Sequence, residues 1–168
     1  MKIHAENNPE MAVAIMKKAG EKLARVKGEK IPYSWQQKFL NMDWIVDDLE
    51  VAPDEFVVIY ADDKPIASAI LQKGDKTGWA QWPTQKNALY GYRYAGNPDF
   101  PMFKTKIIFD ELKKYAAKIG IPVIRIDIAE YEIGKLRLYE SQGFVRVGIS
   151  KDNNSPENYL LLEYDPKT

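Results

Sequence analysis

The 168 residues predict an α/β fold: a single domain on a mixed, mostly antiparallel sheet of about six to seven strands, flanked by helices on both faces. Three observations lead there. Helical spacing dominates from Asn8 to Pro53, apolar runs of strand length broken by turn residues follow from Phe56 to Tyr94, and the remainder alternates between the two periods around the stops Gly120 and Gly143.

Asn8-Pro9-Glu10 opens the first helix, with an amide at the cap, proline at the first helical position and an acid in the first turn. Met11, Ile15, Ala19, Leu23 and Val26 recur at helical spacing up to Gly28. Lys17, Lys18, Lys22, Arg25 and Lys27 line the other side, as a solvated row or as an anion-binding one. A short first strand fits Lys2 to Ala5. Ser34 and Gln37 form a capping-box pattern that opens a second helix near Trp35, carrying Phe39, Leu40, Trp44 and Ile45 and ending before Pro53. Asp43, Asp47, Asp48, Glu50, Asp54 and Glu55 make this stretch acidic, which reads as a solvated face or as a wall that attracts a cationic amine.

Phe56 to Ala61 and Ile66 to Leu71 are apolar runs joined by the turn residues Asp62-Asp63-Lys64-Pro65, so two antiparallel strands are expected. Past the polar loop Lys73 to Gly78, Trp79 and Trp82 either plug the space under a loop or wall a pocket. Ala88 to Tyr94 alternates, placing Tyr90, Tyr92 and Tyr94 on one face. A loop with Asn97-Pro98 and Pro101 leads into a long helix with the stripe Ile107, Ile108, Leu112, Tyr115, Ala116 and Ile119, capped at Gly120 and barred from continuing by Pro122. Val123 to Ile128 is the next strand, with Arg125 and Asp127 on one face in ion-pair range of each other. Ile133, Leu136 and Tyr139 share a helical stripe that ends at Gly143, Phe144 to Ile149 continues as a strand, and Asn158 to Tyr164 closes the sheet after a polar turn. The segment from the third strand through the long helix to the next is a parallel crossover.

Composition narrows the function classes. Twenty-four basic and twenty-four acidic residues balance, which argues against general affinity for nucleic acid or an anionic membrane. No cysteine and one histidine, His4 near the terminus, exclude disulfides, thiolate nucleophiles and thiolate metal sites, and no metal site is expected. There is no apolar run of membrane-spanning length and no hydrophobic leader in MKIHAENNPE, so a cytoplasmic protein is the expectation.

The order of elements, together with Leu138-Tyr139-Glu140 followed by Gly143-Phe144, resembles the GNAT N-acetyltransferase superfamily across nearly the whole chain. That resemblance implies transfer of acetyl from acetyl-CoA, as co-substrate, to a primary amine of a small molecule or peptide. By the same resemblance Tyr139 is the acid that protonates the leaving thiolate. The arm of the coenzyme would lie along the edge of the strand Ala88 to Tyr94, with the thioester oxygen on a backbone N–H near Tyr94 or Ala95. The pyrophosphate would take the helix-start amides of Phe103, Lys104, Thr105 and Lys106, and the acceptor would border Trp35, Trp82, Tyr90 and Tyr92. For the base, the residues offer a water relay held by Tyr90, Tyr92 and Arg93, or Asp127.

Two departures stand out. The superfamily's phosphate loop has arginine or glutamine first and small residues after it, whereas Pro101, Lys104 and Lys106 stand here, and Glu132 stands where many members carry asparagine. The alternative is therefore a domain that has lost coenzyme binding and acts as a binding or interaction module. Exposed strand edges invite pairing, which makes a homodimer a further expectation.

Overall fold

A computed structural model of the chain describes residues 1–74, 87–151 and 158–168. Seven strands, β1 (Ile3–Asn7), β2 (Phe56–Ala61), β3 (Lys64–Gln72), β4 (Leu89–Gly96), β5 (Ile124–Ala129), β6 (Val145–Lys151) and β7 (Asn158–Tyr164), form one open sheet in the order β1-β2-β3-β4-β5-β7-β6. Among the described residues there are four α-helices, α1 (Pro9–Lys27), α2 (Met42–Asp48), α3 (Thr105–Lys118) and α4 (Ile133–Ser141). β1–β2, β2–β3, β5–β7 and β6–β7 pair antiparallel and β4–β5 pairs parallel, which is the mixed, mostly antiparallel α/β arrangement expected. By its contacts the chain divides into two compact units, Met1–Leu71 with Arg93–Leu112 and Gln72–Tyr92 with Lys113–Thr168.

In the first unit, α1 starts as the sequence directs: the Asn8 side chain accepts from the Met11 amide at 3.1 Å and Pro9 takes the first position. Its buried face is rotated from the expected stripe. Ala12, Val13, Ile15, Met16 and Gly20 are buried, while Val26 is 73% exposed. The reason is close approach: a Cβ on Gly20 would stand 2.4 Å from Leu40 Cδ1, so small residues, which a search for bulky apolar ones passes over, mark the packed side.

The second helix is not continuous. One-turn 3-10 segments at Tyr33–Trp35 and Gln37–Phe39 precede α2, because Gln36 is extended and Leu40 leaves helical geometry. Asn41, not Ser34, then caps α2, accepting from the Trp44 amide at 2.8 Å. Of the six acids around it, Glu55 is buried and bonds the Ala52 amide at 2.9 Å, so it caps the turn ahead of β2 and stands apart from any acidic wall.

The β2–β3 hairpin closes through a two-residue loop, Ala61 opposite Lys64, with both Asp62 (φ 46°) and Asp63 (φ 68°) left-handed. That is the primed turn matching strand twist, and aspartate tolerates it better than most residues do.

In the second unit, β5 is covered on both faces: Ile124, Ile126 and Ile128 are buried, and so is Arg125, at 1% exposure. β7 pairs with β5 along its full length and with β6 on its other side. β6 is an edge strand whose register with β7 shifts at Val147, a bulge of the kind that disfavours further pairing. No helix among the described residues is long and apolar enough to cross a membrane.

Candidate active site

β5 stays paired with β7 from Ile124 to Ala129, whereas its parallel pairing with β4 comprises Leu89–Ile124, Tyr90–Arg125 and Gly91–Ile126 and, among the described residues, goes no further. From Tyr92 to Gly96 β4 thus runs on without that ladder. Arg93 lies in this part and is left-handed (φ 56°), which interrupts the alternation expected of Tyr90, Tyr92 and Tyr94. A non-glycine residue in that region costs about 1 kcal/mol or more, so the surrounding structure holds it there. The Arg93 guanidinium stands 6.0 Å from the Trp44 ring centroid, and Trp44 in turn meets Phe39 at 4.7 Å.

The residues named for the coenzyme fall into two groups. Tyr94 and Thr105 are brought together by a side-chain hydrogen bond, and the Tyr94 ring packs on Phe109 at 4.9 Å. Burial pushes the Tyr94 hydroxyl up to about 12, a rise that the Thr105 hydrogen bond only partly offsets. Ala95 is buried beside them. Phe103 is half-buried, while Lys104 and Lys106 are exposed and Lys106 pairs with Asp110 one turn on at 2.6 Å. α3 begins at Thr105, so the first amides of this helix belong to the residues at which the phosphate contact is expected.

Tyr139 sits two residues before the last residue of α4, Ser141, in a Schellman closure. The Phe144 amide returns to the Tyr139 carbonyl at 3.1 Å, the Gly143 amide to the Glu140 carbonyl at 3.0 Å, and Gly143 supplies the left-handed step (φ 90°). The Tyr139 ring, 8% exposed, meets Phe144 edge to face. Lys113 of α3 donates to the Gln142 carbonyl and lies 4.6 Å from the Tyr164 ring centroid, which fastens the same corner. The helix end thus immobilises the Tyr139 ring.

Tyr90 and Tyr92 have defined partners. The Tyr90 hydroxyl accepts from Arg125 Nη1 at 3.2 Å, and Arg125 Nε donates to Glu163 at 2.8 Å. Glu163 is the residue directly opposite Arg125 in the β5–β7 register, a cross-strand partner that spacing within one strand does not reveal. Tyr92 donates to the side-chain carbonyl of the buried Gln72 at 2.8 Å. Trp35 is only 6% exposed and sits in the core, so its ring offers a ligand little surface. Trp82, like Trp79, lies outside the described residues. Asp127 is half-buried near the end of β5, Glu132 lies 2.9 Å from Lys135, and His4 is stacked on Tyr60 with Nε2 3.0 Å from Glu6. Residue patterns had not singled out Gln72, Glu163 or the buried Asn97; of these, only Asn97 carried a local sign, the proline after it. Among the described residues no group of three histidines or carboxylates is arranged to hold a metal ion.

No family model and no curated protein sequence matches the chain. Solved structures do. It is similar to a GNAT-family acetyltransferase from Streptococcus agalactiae (TM-score 0.73, 13% identity, covering 99% of this chain and 96% of that one). It is likewise similar to one from Listeria monocytogenes (TM-score 0.72, 16% identity, 96% and 93% covered). A third is the PaiA N-acetyltransferase of Thermoplasma acidophilum, solved in complex with coenzyme A (TM-score 0.63, 16% identity, 98% and 99% covered). Identities this low speak for the backbone alone, and on that ground the chain has the fold of the GNAT acetyltransferases.

Proposed function

We propose that the chain is an N-acetyltransferase that moves the acetyl group of acetyl-CoA to a primary amine of a small molecule or peptide. The observation that carries this reading is the three-pair parallel ladder between β4 and β5, which leaves β4 from Tyr92 onward as an edge to which an extended, amide-bearing arm adds as a strand does. The residues fit such a ligand: β4 offers backbone donors near Tyr94 and Ala95, and α3 offers its first amides beside the exposed Lys104 and Lys106. A structure of the same fold holding coenzyme A supports the same ligand class.

In this reading the neutral amine nitrogen bonds to the thioester carbonyl carbon, whose oxygen is held by the β4 amides as negative charge develops on it. The carbon–sulfur bond breaks, and the Tyr139 hydroxyl gives its proton to the departing sulfur. The proton lost by nitrogen passes to water held by Tyr92 and Arg93, or to Asp127. Tyr90, whose hydroxyl is committed to Arg125, serves by holding β4 in place, and the acceptor lies toward Tyr92.

A second reading, a binding module without catalysis, is favoured by one observation: Pro101, Lys104 and Lys106 occupy the turn where small residues would admit a phosphate closely, and Lys106 is already paired with Asp110. A thermal melt with and without acetyl-CoA, followed by calorimetric titration, separates the two. Ligand at a hundred times its dissociation constant stabilises by about 2.7 kcal/mol, a shift of several degrees for a domain of this size. A shift of that kind supports the transferase. Its absence at millimolar ligand supports the module.

A further inference from the structure

The turn from β4 to α3 is held at its entry by one buried side chain. Asn97 is 5% exposed and follows the last residue of β4. Its amide donates to the Ile66 carbonyl at 2.8 Å and its Nδ2 to the Pro65 carbonyl at 2.8 Å, both on β3. Its Oδ1 accepts from the Asp99 amide at 3.0 Å, and its own carbonyl accepts from the Phe100 amide at 3.0 Å. A buried side chain that must donate on one side and accept on the other is met by a carboxamide of this length; aspartate lacks the donor and serine the reach. The Asp99 carboxylate pairs with Lys18 of α1, so the same turn is also tied to a helix.

At its far end the turn is held again, by the Tyr94 and Thr105 hydroxyls. Between the two ends stand Pro98 and Pro101 and no glycine. Such a turn has little freedom to adapt to a ligand, so the amides it presents must already stand in the right place.

We infer that Asn97 is a positioning residue for pyrophosphate binding: by clamping the entry of the turn to Pro65 and Ile66, it sets where the amides of Phe103, Lys104, Thr105 and Lys106 stand. This rests on the acetyl-CoA reading proposed above.

The test compares wild type, Asn97→Ala, the isosteric Asn97→Asp and, as a control for stability, Asn8→Ala, which removes the cap of α1. Coenzyme A is titrated calorimetrically into each, and steady-state kinetics follow with an accepted amine. The expected result is that Asn97→Ala and Asn97→Asp weaken coenzyme A binding by roughly tenfold or more, with KM for acetyl-CoA rising in step and kcat at saturation little changed, because misplaced amides cost ground-state and transition-state binding alike. Asn8→Ala, though less stable, binds coenzyme A as wild type does. Should Asn97→Ala not fold, Asn97→Asp decides. Wild-type affinity in the folded Asn97 variants, or an equal loss in Asn8→Ala, overturns the positioning role while leaving the transferase reading intact. Failure of the wild type itself to bind coenzyme A overturns both.

Discussion

The amide of Phe144 reaches back to the carbonyl of Tyr139 at 3.1 Å, and the two rings meet edge to face with centroids 5.5 Å apart. The backbone closure and the apolar contact of one helix end therefore fix a single tyrosine. In the proposed transferase reading the Tyr139 hydroxyl is the group that protonates the departing sulfur. Tyr139→Phe keeps the ring contact and is expected to lower kcat about a hundredfold while leaving coenzyme A affinity unchanged. Undiminished turnover in that variant removes Tyr139 from the mechanism.

The same helix end depends on Gly143, whose φ of 90° suits no side chain. A Cβ there would meet the Tyr164 ring at 3.6 Å, an ordinary contact, so the cost of Gly143→Ala comes from the backbone. Urea unfolding is expected to show a loss of about 1–2 kcal/mol. A neutral result would mean that the helix closes in some other way.

Arg125, 1% exposed, is balanced by Glu163 at 2.8 Å. Glu163→Ala leaves a cation buried without that partner and is expected to cost about 3–5 kcal/mol, whereas Arg125→Met with Glu163→Leu recovers most of the loss. A double-mutant cycle by chemical unfolding reads the difference. If the single variant costs less than about 1 kcal/mol, the pair is not the anchor of β5 on β7.

Tyr94 holds its proton to about pH 12, against 10 for an unperturbed tyrosine. Below pH 10 the folded and unfolded chains are both protonated there, and the stability linked to this group is fully present. As pH rises from 10 to 12 the unfolded chain releases the proton first, and up to about 3 kcal/mol of that stability is lost. Tyr94→Phe, less stable at neutral pH because the Thr105 hydrogen bond is gone, should close the gap to wild type across that window. A gap independent of pH would show an ordinary hydroxyl.

Asp63 is left-handed at φ 68° in a turn that glycine enters at no steric cost. Asp63→Gly is expected to raise stability by about 0.5 kcal/mol, read as a higher melting temperature. A lower one would count against the primed turn.

Local chemistry was enough to read most elements. Asn8-Pro9-Glu10, the Asp62-Asp63 turn and the Gly143 stop are short signals whose hydrogen bonds close within a few residues, so no distant partner is needed to interpret them. β7 was legible to the residue, since Asn158 to Tyr164 is an apolar run between polar sequence on one side and a charged end on the other. The second helix departs from the Ser34–Gln37 pattern because Gln36 is extended and Leu40 leaves helical geometry, so that Asn41 caps α2 instead.

The candidate site divides along the same line. Tyr139 is visible in the chain because its support, Gly143 and Phe144, lies within five residues of it. The end of the β4–β5 ladder at Gly91, the pairing of Arg125 with Glu163 and the hold of Asn97 on Pro65 join residues 32 to 38 positions apart. Strand register and burial choose those partners, and neither is encoded in any one window of sequence. Local hydrogen-bonding preference thus settles where helices and turns begin and end; which buried polar groups meet across the sheet is settled only when the strands come together, because an unpaired group costs too much to leave buried.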